Sequence, residues 1–219
     1  MNNNRAQYIL TELGHHLPYS IFGVTLAVVI MGVFNFFAVL MGAEHNLPAA
    51  STELFHILHP AHILLSSVVT TAMFWKYEKN LLKAVLIGFF GSVGICSLSD
   101  IVFPYFGGMF LGFSGMSMHI CVLEHPGIVI PFAVVGILGG LLIPDSIERS
   151  TQYSHSAHVL VSSAASILYL AAYGVQDWAH AVGGVFIVTI VAVMVPCCVS
   201  DIVFPLWFVK GKPACNHRH

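Results

Sequence analysis

The chain has 219 residues, of which 57% are hydrophobic and only 8% charged, with a formal net charge of −2. Its mean hydropathy is +0.85. Soluble domains carry about 25% charged residues, so this composition excludes a polar surface on all sides; a basic nucleic-acid face, a phosphate-binding glycine loop and a serine-nucleophile motif are also absent.

An apolar run of about 20 residues is what crosses a bilayer. Six such runs are predicted as transmembrane helices, at about 19–42, 55–75, 82–103, 127–144, 156–173 and 181–208. They are continuous rather than alternating, which argues against a β-barrel. Residues 1–18 lack the apolar core of a cleavable signal peptide. They end in His15, His16 and Pro18, just before the first run. The second run holds His59 and His62, and the third ends at Ser99-Asp-Ile-Val-Phe-Pro104. Residues 105–123 are apolar but irregular and read as a re-entrant or interfacial connector. Glu124, His125 and Pro126 open the fourth helix, and His155 and His158 open the fifth. The sixth carries Ser200-Asp-Ile-Val-Phe-Pro205 and leads to a tail over 210–219. Asp100 and Asp201 are the only acids inside the runs, and Lys83 the only base.

The basic residues fix an expected topology. Arg5, Lys76, Lys79, Lys83, Arg149, Lys210, Lys212 and Arg218 all fall on the side of the N-terminus once six helices alternate. By the positive-inside rule that side is cytoplasmic, which places both termini inside an inner or plasma membrane. Five cysteines do not suggest a disulfide framework, since Cys121 alone falls in an outer loop.

Two segments repeat. His59-Pro-Ala-His-Ile-Leu-Leu-Ser-Ser67 returns as His155-Ser-Ala-His-Val-Leu-Val-Ser-Ser163, and Ser-Asp-Ile-Val-Phe-Pro returns unchanged. The fold expected is therefore all-α: two three-helix units, over 1–104 and 124–209. Three is an odd number, so the second unit is inverted in the membrane, as in many secondary transporters.

Polar groups within a bilayer usually face a bundle interior or a cavity. Residues i and i+3 share a helix face, so His59 and His62 point together. Cys96 precedes Asp100 by one turn, as Cys197 precedes Asp201. Two sites are predicted: His59, His62, Asp100, Glu124 and His125 toward the outside, and His15, His16, His155, His158 and Asp201 toward the inside. Cys96 and Cys197 are possible additional ligands. Imidazoles with a carboxylate suit Zn²⁺, Fe²⁺, Mn²⁺, Ni²⁺ or Cu²⁺, and binding should weaken in acid.

His56 precedes His59 by one turn, but its counterpart in the repeat is Gln152, which argues against a place in the shared site. The functional expectation is a small transporter or channel for a divalent transition-metal ion, in contact with lipid and open to homo-oligomer formation or a larger membrane complex. An integral-membrane metalloenzyme or metal-binding subunit, a proton-coupled transporter and a haem protein are the alternatives.

Overall fold

The computed structural model describes residues 3–142, 148–174, 177–198 and 204–208. Among them there is no β-strand. The helices are α1 (Asn3–Leu40), α2 (Leu47–Tyr77), α3 (Leu81–Ser97), α4 (Phe103–Phe110), α5 (Cys121–Glu124), α6 (Pro126–Leu142), α7 (Glu148–Tyr173), α8 (Trp178–Cys198) and α9 (Phe204–Trp207). A 3₁₀ turn at Glu44–Asn46 leads into α2, and a π turn at Leu98–Val102 joins α3 to α4.

Three stretches are long and apolar enough to cross a membrane: Leu17–Leu40, Glu44–Tyr77 and Leu81–Phe110. Pro126–Leu142, Ala157–Tyr173 and His180–Pro196 are apolar but shorter. At 1.5 Å per residue, 17 residues rise about 25 Å, against a hydrocarbon core of about 30 Å.

The third helix does not stop at Pro104, as its sequence suggests, but continues to Phe110. The π turn explains how. The Phe103 N–H reaches back five residues to the Leu98 carbonyl. The next N–H in that pattern would serve Ser99, but residue 104 is proline and has none. The Ser166 hydroxyl on α7 donates to the Ser99 carbonyl instead, at 3.0 Å. The following chain turns at Gly112 and Gly115, whose φ angles of 79° and 84° suit glycine.

The bundle is apolar outside and holds a polar cluster within an otherwise apolar core. Phe22, Phe36, Phe90, Val135 and Ile187 are exposed. Apolar surface on this scale signals a membrane or a partner rather than water. In contrast, His59, His62, Ser66, Ser67, Thr70 and Thr71 on α2 are fully buried, as are Ser92, Ser99 and Asp100. On α7, His158, Ser162, Ser163 and Ser166 are buried too.

Helix α2 is the hub, packing on α3, α6 and α7. Contact pairs give the directions. Thr71 faces Gly88 while Ser67 bonds Ser92, so α2 and α3 are antiparallel. Leu64 faces Gly136 while Val68 faces Gly140, so α2 and α6 are parallel. Phe55 packs on Tyr169 while His62 meets His158, so α2 and α7 are antiparallel. The two glycines allow the close approach: a Cβ on Gly136 would lie 2.5 Å from the Leu64 carbonyl oxygen, and one on Gly140 would lie 2.6 Å from that of Val68.

Candidate functional site

Asp100 sits in the π turn, fully buried, with four donors around its carboxylate. His59 Nδ1 donates to Oδ2 at 2.9 Å and His62 Nδ1 to the same oxygen at 2.7 Å. Ser162 Oγ donates to Oδ1 at 3.0 Å, and Ser99 Oγ shares its one hydrogen between Oδ1 at 2.8 Å and the Cys96 carbonyl at 3.0 Å. A carboxylate only accepts and has about four lone-pair positions, so these donors fill it. Both imidazoles then carry hydrogen on Nδ1, which turns each Nε2 away from the carboxylate.

The His62 Nε2 lies 3.2 Å from His158 Nε2 and 3.6 Å from Cys96 Sγ. His62 and His158 are the second histidines of the two His-x-x-His copies, 96 residues apart. The His59 Nε2 is buried and has no hydrogen-bond partner among the described residues. Its ring stacks on Phe55, with centroids 5.3 Å apart and planes within 16°.

A second cluster lies one turn earlier on α2. His56 Nε2 and His119 Nε2 are 2.9 Å apart. His125 joins them, and ligand atoms of all three lie within 4.8 Å of one another, close enough to hold a metal ion. His56 and His119 are half-buried and His125 is exposed, so this cluster forms a rim that opens to the surface. His119 Nδ1 is 2.7 Å from Glu124 Oε2. The Cys121 thiol nearby is pushed up to about 12, first by burial and then by the charges of Asp100 and Glu124.

The structure thus divides the outer set expected from the sequence. His59, His62 and Asp100 meet at the buried centre, with Cys96 beside them. Glu124 and His125 do not reach that centre: the Asp100 carboxylate is taken by His59, His62, Ser99 and Ser162. The short helix α5 sets Glu124 and His125 beside His119 and His56 instead. His158, expected in a separate inner set, lies against His62. The side chains of His15, His16, His155 and Cys197, and the whole of Asp201, lie outside the described residues. Sequence reasoning set His56 aside and placed His119 in neither of the two predicted sites. The available signal for His56 was its spacing, one turn ahead of His59 on the same face.

No protein-family model, no curated protein and no solved structure matches this chain.

Proposed function

We propose that the protein is a membrane transporter for a divalent transition-metal ion, built as two inverted three-helix repeats with six spans and cytoplasmic termini. One observation carries this reading: equivalent histidines of the two repeat copies, His62 and His158, meet at 3.2 Å beside a buried carboxylate. Substrate sites of inverted-repeat transporters lie where the repeats meet, near the midplane. The antiparallel register of α2 and α7 supports the inversion. The one-sided placement of all eight Lys and Arg residues supports six spans.

In this reading His56, His59 and His62 form a ladder on α2. Steps of three residues rise about 4.5 Å each, so an ion loaded at the rim moves inward by exchanging one imidazole for the next. Asp100 orients His59 and His62 through Nδ1 and supplies negative charge. Their Nε2 atoms are the ligands. Carboxylate–histidine pairs do this at metal sites generally, fixing the tautomer and raising the basicity of the ring. The Nε2 of His59, buried without a described partner, fits a ligand that is used only when an ion passes.

The test is ion uptake into proteoliposomes containing the purified chain, loaded with a metal-sensitive dye. Asp100→Asn and His62→Gln should each lower uptake by at least about tenfold, the scale of a lost ligand-orienting contact. Unchanged uptake in both variants, with the protein folded, would exclude transport through this centre.

A further inference from the structure

We infer that His56, His119 and His125 form a three-imidazole binding site for a borderline divalent ion of the Zn²⁺ class, filled directly from solution, with Glu124 as its orienting carboxylate. The role of this site as the loading step rests on the transport reading; the binding does not.

The geometry of the cluster is already that of a ligand set. The rings pack mutually, with centroids 5.0 Å apart for His56 and His119, 4.9 Å for His56 and His125, and 5.5 Å for His119 and His125. The nitrogen separations, from 2.9 Å to within 4.8 Å, bracket the roughly 3.3 Å between neighbouring ligands of a tetrahedral ion with about 2.05 Å bonds.

His119 is the best-held member. Its Nδ1–H donates to Glu124 Oε2 at 2.7 Å, so its Nε2 lone pair is turned toward His56. Glu124 is itself tied to its own turn, since Oε1 accepts from the Ile120 N–H at 3.3 Å. The Tyr173 ring stacks on His119, with centroids 5.6 Å apart and planes within 22°. The Tyr169 hydroxyl donates to the Ser117 carbonyl at 2.7 Å, which anchors the segment that carries His119. A ring stacked on Tyr173 and held at Nδ1 loses little freedom on binding an ion.

The donor set identifies the ion class. Three neutral imidazoles suit Zn²⁺, Co²⁺, Ni²⁺ and Cu²⁺, whereas Mg²⁺, Ca²⁺ and Mn²⁺ prefer oxygen ligands. Among the described residues, only the three imidazoles converge here, and Glu124 is engaged at His119 rather than in the cluster. Three protein ligands leave one position open, the arrangement of exchangeable rather than closed zinc sites. The exposed His125 sits on the open side.

Titration of the purified full chain in detergent with Co²⁺, read by its visible d–d absorption, tests this directly. The wild type should develop a tetrahedral band that Zn²⁺ abolishes and that about a hundredfold excess of Mg²⁺ or Ca²⁺ leaves intact. His125→Ala, at the exposed member, and His56→Ala should each weaken binding by at least about a hundredfold. Glu124→Gln should weaken it about 10- to 100-fold with the stoichiometry unchanged, the range for an outer-shell carboxylate. His180→Ala, on an exposed histidine paired with Asp177, should change nothing. Absence of the band in wild type, or superimposable titrations for wild type, His56→Ala and His125→Ala, would overturn the site. A chain that binds Co²⁺ here but moves no ion in proteoliposomes breaks the transport reading alone. A chain that transports without the equilibrium band breaks this inference alone.

Discussion

The buried centre and the rim cluster both consist of histidines near a carboxylate, yet they differ in what the carboxylate has left to give. Asp100 is saturated by four donors and lies wholly inside the bundle. Glu124 is 48% exposed and holds one imidazole. The first arrangement welds α2, the π turn and α7 together, so its chemistry and its stability cannot be separated. The second is a local device on a short helix and a turn, where binding can change while the bundle stands. The same residue types therefore give a centre that also braces the bundle in one place and a locally held cluster in the other, decided by burial and donor count.

The largest expected effect is at the centre. Asp100→Asn leaves two imidazoles and two hydroxyls facing a neutral amide; breaking a buried charged network of this kind costs on the order of 3 kcal/mol, measured as loss of resistance to denaturant in detergent. Its transport rate should collapse. An Asp100→Asn protein of wild-type stability would show that the centre is not a weld. His125→Ala should instead raise the ion concentration for half-maximal uptake, by at least about a hundredfold, and leave the maximal rate within about twofold, the signature of lost ground-state binding. A fall in maximal rate with unchanged half-saturation would erase the distinction between the two clusters.

Gly136→Ala should destabilise the fold by about 1–3 kcal/mol, because the new methyl meets the Leu64 backbone. Co²⁺ titration of that variant should still match wild type, since α6 touches the rim only at its first turn. The smallest effect is expected for Ser166→Ala. It removes the donor to the Ser99 carbonyl and should cost about 1 kcal/mol, visible as a small shift in the unfolding midpoint.

Much of the centre was legible in the sequence because it is made of short-range rules. His59 and His62 share a face by spacing, Cys96 and Asp100 likewise, and the repeat marks them as more than packing residues. The rim was not legible for two reasons. Repeat logic set His56 aside because Gln152 stands in its place, although a site at one end of a helix need not have a symmetric twin. His119 is brought in by glycine turns at 112 and 115, and no periodicity encodes where such turns return. Glu124 and His125 were placed with Asp100 because alternating spans put the end of the third helix and the start of the fourth on the same side of the membrane. The actual partner of His125 is one helical turn away from the expected one. Pro104 read as a helix end because the rule that proline stops a helix assumes α geometry, and the π turn removes that assumption.

The π turn also makes the centre depend on counting. Its five residues, Leu98–Val102, complete a wider ring than α geometry allows. Deleting one codon within it would return the segment to the α phase, where each residue turns about 100°. Everything on one flank would then rotate by about that angle against the other, carrying either Asp100 or the Gly107 face that packs on Val188 out of alignment. No single side-chain substitution between Leu98 and Val102 could restore both at once. A compensating insertion a turn away could, which makes the length of this segment, as well as its chemistry, part of what must be preserved.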